Sequence, residues 1–250
     1  MAFARTARLL LLVAPLALGL AACDNKADGT GGATPSGPLA KVPAPAGTSW
    51  AEKVTVTPEG GYLMGNPDAP IKLVEFGALS CSHCAEFSEK SFVKLRDDYV
   101  ASGRVSFELR FFMLNALDVP AVLLATCSTP EATIPLSEQF WGYQRTMFEN
   151  LNANGALMQA ADQQKPPQRF ATIAQAGGMD QFFAQRGVAA DQAKTCLADV
   201  AKAEKLVAQT ESASKEFEVT GTPTFLINGS KVEGNTWEAI EPLLQNAGAR

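Results

Sequence analysis

Histidine is almost missing from this chain: of 250 residues only one, His83, is an imidazole. That scarcity excludes zinc hydrolase sites with several histidine ligands and leaves one place at most for a Ser-His-Asp or Cys-His-Asn arrangement. Cations are scarce as well. Lys and Arg number 21 against 26 Asp and Glu, a formal charge of −5. No positive surplus exists to displace counterions from a nucleic-acid backbone, so nucleic acid is not an expected partner. The apolar run Leu9 to Leu20 is too short to span a bilayer, which takes roughly 20 residues. No internal repeat is visible. What the chain does hold is a hydrophobic share of 46%, enough for one domain with an insertion or at most two, and five cysteines.

Arg5 and Arg8 precede the apolar run, which ends in Leu20-Ala21-Ala22-Cys23. A basic start, an apolar middle and small residues at the end predict a secretory signal over residues 1–22. Leu-Ala-Ala-Cys resembles the lipobox of bacterial lipoproteins, which makes Cys23 the expected lipidation site and first mature residue. The alternative is ordinary cleavage near Ala21 or Ala22, leaving Cys23 a spare thiol. Asp24 resembles an inner-membrane retention signal. Loss of residues 1–22 removes two arginines and no acid, taking the charge from −5 to −7. Residues 24–49, rich in Gly, Pro, Ala and Ser, cannot bury enough apolar surface to offset their ordering entropy. Residues 23–49 are therefore expected to form an anchor cysteine and a flexible tether of roughly 30 Å r.m.s. span.

Cys81, Cys84, Cys127 and Cys196 remain. Four cysteines in an exported chain suggest disulfides and allow three pairings. Cys81-Ser82-His83-Cys84 is a CxxC whose context is informative. Ile71 to Phe76 is a near-continuous apolar run ending at Gly77, as in a buried parallel strand. After the motif, Phe87, Phe92, Leu95 and Tyr99 fit one helix face between Ala85 and Val100. Cys81 then sits at a helix N-terminus, where peptide N–H groups and the helix dipole favour its thiolate. Cys84, one turn further in, becomes the shielded resolving thiol, and His83 a polar neighbour that helps hold Cys81 as thiolate. A zinc site fits poorly, because Cys127 and Cys196 are far apart in sequence; no metal and no cofactor are expected. A purely structural bridge fits poorly because so short a loop stabilises little. Glu75, six residues before Cys81, faces solvent if the strand is at an edge. If the strand is central, its carboxylate is buried near Cys84, with a raised pKa, and can relay a proton during thiol exchange.

Downstream, Gly221-Thr222-Pro223-Thr224-Phe225-Leu226-Ile227-Asn228-Gly229 predicts a strand over 224–227 and an Asn-Gly turn, with Lys231-Val232-Glu233 returning as hairpin partner. Taken alone, the Thr222-Pro223 bond is expected to be trans.

The acid six before the first cysteine, CxxC with His third, and Gly-Thr-Pro-Thr-Phe before a hairpin together resemble the thioredoxin fold. More narrowly they resemble DsbA-like thiol:disulfide oxidoreductases, over roughly residues 60–250. The resemblance implies an α/β thioredoxin fold with an inserted helical domain, a cis Pro223 facing the CxxC, and a Thr222 backbone that pairs with a substrate strand. Ser82 departs from the proline that well-known oxidases of the family carry there. Residues 105–113 read as a second strand. Helical patterns follow from Asp118, which can cap with Pro120 in the first turn, then over 136–150, 169–186 and 198–217, with a closing helix at 236–245. The expected division is 50–114 and 199–250 for the two thioredoxin parts and 115–198 for the insertion. Cys127 and Cys196 lie near the two ends of that insertion, and some DsbA-like proteins resemble this in carrying a second bridge there. Structural pinning is the main reading; a regulatory bridge or free buried thiols are the alternatives.

The implied activity is periplasmic thiol:disulfide exchange introducing disulfides into exported proteins, with Cys81, Cys84, His83 and Glu75 catalytic and Thr222 and Pro223 binding substrate. The implied partners are unfolded or reduced exported proteins and a membrane redox protein that re-oxidises the pair. The implied location is the periplasmic face of the inner membrane. A reductase or isomerase with the same site is the alternative, although residues 24–60 are too short for an isomerase's dimerisation domain. A tethered non-catalytic chaperone is the rival from another class.

Overall fold

A computed structural model describes residues 37–249. The expected signal at residues 1–22, Cys23 and the start of the tether lie outside the described residues.

The described strands form one sheet in the order β1 (Val54–Val56), β2 (Tyr62–Gly65), β4 (Val105–Phe111), β3 (Ile71–Gly77), β5 (Thr224–Ile227), β6 (Ser230–Lys231). Only β3 and β4 run parallel; every other pair is antiparallel. β3 and β4 are central, and their near-continuous apolar sequences follow from burial on both faces. Alternation along β3 separates the two faces. Ile71 and Leu73 join the main core, while Val74 and Phe76 join a smaller cluster with Leu226, Phe112, Ala213 and Val219. The parity of Glu75 places it on the main-core side.

α1 (Ser82–Lys94) starts four residues after β3 and widens into a looser final turn through Val100. It packs on the main-core face: Phe87 meets Phe225 with ring centroids 4.5 Å apart, and Trp237 of α9 (Trp237–Leu244) at 6.1 Å. Each such fully buried aromatic or aliphatic side chain contributes about 1.5–3 kcal/mol. Between β4 and β5 run α2 (Asp118–Ala125), α3 (Pro130–Ala153), α4 (Gly155–Asp162), α5 (Gln168–Ala176), α6 (Met179–Ala184), α7 (Ala190–Leu197) and α8 (Val200–Glu216). α8 supplies Ala213, and Phe217 just beyond it meets Phe76 at 5.6 Å, covering the opposite face of the sheet. A sheet with helices on both faces and a helical insertion is the α/β thioredoxin arrangement that the sequence resemblance implies.

Several elements differ from the sequence reading. The β1–β2 hairpin was not foreseen; it is short and half exposed, so it carries little periodic signal. α3 begins at Pro130, not 136, and passes through Pro135 in its second turn, where the missing N–H forgoes the bond to Glu131 O. The 169–186 segment is two helices, divided at Gly177-Gly178, where Gly178 takes φ +67°. The Asn228-Gly229 turn has φ of 50° and 81° as a two-residue hairpin turn requires, but its return strand is Ser230–Lys231 only.

The tether reading is corrected over its second half. The Leu39 N–H donates to Gly248 O at 2.9 Å, Val42 N–H to Ser102 O at 3.0 Å, and Trp50 Nε1 to Val42 O at 2.8 Å. Leu39 packs on the core and Trp50 is 8% exposed. A composition average over a Gly/Pro-rich stretch hides Leu39, an apolar side chain with somewhere to go, and Trp50 just beyond the stretch holds Val42 in place. Among the described residues no helix is long and apolar enough to cross a membrane.

Candidate active site

The apolar run of β3 carries the chain through the centre of the sheet to Gly77, and the four residues Ala78 to Cys81 then turn it into α1. Cys81 is the N-cap of α1, in extended conformation (φ −83°, ψ 119°), and its Sγ accepts the Cys84 N–H at 3.3 Å. This is the usual N-cap bond to an orphan amide, with sulfur in place of the oxygen of Ser or Asp. The Cys81 thiol donates in turn to Thr222 O at 3.2 Å. Thr222–Pro223 is cis, and β5 pairs with β3 just beyond it, so the Gly-Thr-Pro segment and the CxxC meet although 141 positions separate Cys81 from Thr222.

Both active cysteines are free thiols, and their environments push them apart. The Cys84 thiol hydrogen-bonds Cys81, and Thr222 and the N–H groups of Cys84 and His83 add to it. Together they bring Cys81 from 9.0 down to about 6, against the opposing effect of burial. Cys84 is fully buried; desolvation, then its bond to Cys81 and the charge of Glu75, hold its thiol well above the ordinary range. One sulfur is therefore a ready thiolate at neutral pH and the other a shielded thiol.

Glu75 is 1% exposed beneath this pair, and burial, then the charges of Glu138 and Cys81, raise its carboxyl well above the usual carboxylate range. His83 is placed differently from expectation. Its ring is exposed, with Nδ1 3.9 Å from Glu86 Oε2, and what it gives Cys81 is its backbone N–H. Cys127 and Cys196 are disulfide-bonded with Cα atoms 5.8 Å apart, tying the end of α2 to α7, and Gln192 Nε2 donates to Cys127 O at 2.6 Å. Among the described residues the bridge makes no hydrogen bond to Cys81 or Cys84; its bonds run to Gln192.

Four residues that hold the site were not foreseen. Trp141 Nε1 donates to Ala78 O at 3.0 Å, and Gln144 Nε2 donates to Leu79 O at 2.9 Å and Cys81 O at 3.0 Å. They lie three apart on α3, one face of which grips the loop before α1. Asp118 was read as a helix cap, but its carboxylate turns outward from α2. It accepts Ser80 N–H at 2.8 Å, Ser80 Oγ–H at 3.1 Å, Leu114 N–H at 2.9 Å and Asn115 N–H at 3.1 Å. Burial raises its pKa even with these donors. Glu138 is the fourth.

Residues 57–246 match the family model described as Thioredoxin. A Rickettsia bellii protein provisionally assigned as a protein-disulfide oxidoreductase is 25% identical over 189 residues, covering 76% of this chain and 65% of its own. The chain thus spans slightly less than two thirds of that relative's length. The crystal structure of a protein-disulfide isomerase from Novosphingobium aromaticivorans aligns with TM-score 0.69 and 31% identity, over 73% of this chain and 94% of that one. Wolbachia pipientis alpha-DsbA1 shares the fold at TM-score 0.61 and 20% identity, over 80% of this chain and 96% of its own.

Proposed function

This chain belongs to the thioredoxin family, and from that premise we propose that it is a thiol:disulfide oxidoreductase that introduces disulfides into exported proteins. The observation that carries the reading is the asymmetry of the two sulfurs: Cys81 capping α1 with a pKa near 6, above a fully buried Cys84 held protonated.

In the oxidising direction a substrate thiolate attacks Cys81 Sγ of the Cys81–Cys84 bridge. The new bond joins substrate and Cys81 sulfurs; the bond to Cys84 breaks, and Cys84 leaves with the electron pair. A thiolate in that dry site is costly, so Glu75, holding a proton, neutralises it. A second substrate thiolate then attacks the substrate sulfur, the substrate closes its disulfide, and Cys81 departs as a stable thiolate. The Thr222 carbonyl, released from the Cys81 thiol, is free to pair with an extended substrate segment beside Pro223.

The proposed location is outside the cytoplasm, which the Cys127–Cys196 bridge supports because such bonds persist in oxidising compartments. The proposed anchor is Cys23, and the proposed re-oxidant is a membrane redox protein. An isomerase is the second reading, favoured by the likeness to the N. aromaticivorans protein-disulfide isomerase. The test is the potential of Cys81–Cys84 in graded glutathione buffers, with oxidation of reduced ribonuclease alongside. An oxidase gives a potential at or above the oxidising end of the glutathione range, and Cys81→Ser abolishes ribonuclease oxidation. A value near −270 mV, roughly that of thioredoxin, overturns the oxidase reading in favour of a reductase. Oxidation that survives Cys81→Ser overturns the mechanism altogether.

A further inference from the structure

The floor of the site holds two carboxyl groups. Glu75 on β3 lies opposite Leu109 on β4 and Phe225 on β5, neither charged. From α1 it is faced by Cys81 and Cys84, and from α3 by Glu138. Its Oε1 is buried without a hydrogen-bond partner. Glu138 accepts a hydrogen bond from Ser88 Oγ, and Ser88 is buried one turn beyond Cys84 on α1. Trp141, one turn after Glu138, fixes that face of α3 against the end of β3. A side chain at Gly77 would touch Glu75 Oε1 at 3.0 Å and the Trp141 ring at 3.4 Å. Among the described residues neither carboxyl has an ion-pair partner. They differ in one respect: Glu75 is sealed, while Glu138 reaches partly to solvent.

Two like charges in a shared dry site oppose each other's ionisation, so the protons of such a pair are lost in coupled steps. Burial raises both groups, Glu138 to about 8, and Glu138 in turn raises Glu75. A sealed acid that must exchange a proton on each turnover needs an exit, and Glu138 is the adjoining acid with access to water.

We propose that Glu138 is a second acid of this site, a positioning residue that acts through Glu75 and carries to solvent the proton exchanged between Glu75 and Cys84. The inference rests on the oxidoreductase reading above. When Cys84 leaves as thiolate, Glu75 gives it a proton, Glu138 restores that proton to Glu75, and water re-protonates Glu138. In the reverse direction each transfer runs backward.

The reverse direction is the convenient one to measure. Reduced protein mixed with an aromatic disulfide releases one coloured thiolate as Cys81 attacks, forming a Cys81–reagent mixed disulfide. It releases a second as Cys84 attacks Cys81 Sγ: the Cys81–Cys84 bond forms, the bond to the reagent breaks, and the Cys84 proton passes to Glu75. The rate of the second release is followed against pH. In Glu138→Gln the like charge is gone, Glu75 ionises more readily, and the midpoint moves down by about one pH unit, a roughly tenfold faster second phase on the rising limb. Glu138→Asp restores the midpoint to near that of the unaltered protein. A midpoint unmoved in Glu138→Gln, with circular dichroism showing a native fold, overturns the proposal. Titration of the glutamate carboxyl carbons by NMR in the unaltered protein needs no variant: Glu75 and Glu138 must both respond in two common steps, and independent single steps overturn it. Both releases are intrinsic to the reduced dithiol. A protein that shows them but oxidises no substrate loses the function proposed above while this test still reads.

Discussion

Cys81 decides how the protein's two redox forms respond to pH. Its thiol falls from 9.0 to about 6 in the fold, with Cys84 the largest contributor. A depressed folded value stabilises the reduced protein by an amount that is complete above the ordinary thiol value and lost as pH falls through about 6. At pH 7 one unit of that shift is expressed, about 1.4 kcal/mol, which equals about 30 mV for a two-electron couple. The oxidised form has no such thiol, and the buried carboxyls are common to both forms and cancel to first order. Between pH 5 and pH 7 the reduced protein is therefore expected to gain about 1.4 kcal/mol on the oxidised one, read from denaturant midpoints. Alkylation of Cys81 by iodoacetamide follows the same thiolate, with a midpoint near pH 6. A midpoint at the ordinary thiol value would mean that capping of α1 does not activate Cys81.

At the scale of elements, the helical insertion does more than add volume. α3 crosses the loop before α1, and Gln144 donates to the carbonyl of Leu79 and, beside the Ala85 N–H, to that of Cys81. In Gln144→Ala the Leu79 carbonyl loses its donor and the Cys81 carbonyl keeps only the Ala85 N–H, which costs about 2 kcal/mol, or about 4–8 °C in a protein of this size. Calorimetry checks the first figure. The loop it loosens carries Cys81, so alkylation of Cys81 should slow together with the loss of Tm; a thermal loss without a change in reactivity would make Gln144 a packing residue only. The same contacts explain what the sequence reveals and what it hides. β3, α1 and β5 were legible because each has a local signature: an apolar run, a helical face, an Asn-Gly turn. Glu75 was legible because a charge inside such a run is anomalous. Trp141, Gln144 and Asp118 were not, since their meaning lies in partners 38 to 65 positions away. β1 and β2 were hidden for a simpler reason, three and four residues being too few to show a period.

Across the whole molecule, α2 joins two places of different chemistry. Its first residue, Asp118, grips Ser80 beside Cys81, and the turn after its last residue holds Cys127, bonded to Cys196 on α7. The bridge closes a 69-residue separation, the span of most of the insertion, and on the chain-entropy model such a crosslink stabilises by roughly 4 kcal/mol. Pinning by this bridge and signalling through it predict different outcomes for the double variant Cys127→Ser, Cys196→Ser. If the bridge pins the insertion, Tm falls by about 8–16 °C, because the unfolded chain regains the freedom the crosslink removed. The Cys81–Cys84 potential then stays put, because the four donors around Asp118 hold its end of α2 without help from the other end. If α2 instead transmits the state of the bridge, the potential moves by more than about 30 mV, a tenfold change in the exchange equilibrium, with little loss of Tm. The anchoring of Asp118 on four donors favours the first outcome, and the two measurements on one variant separate the cases.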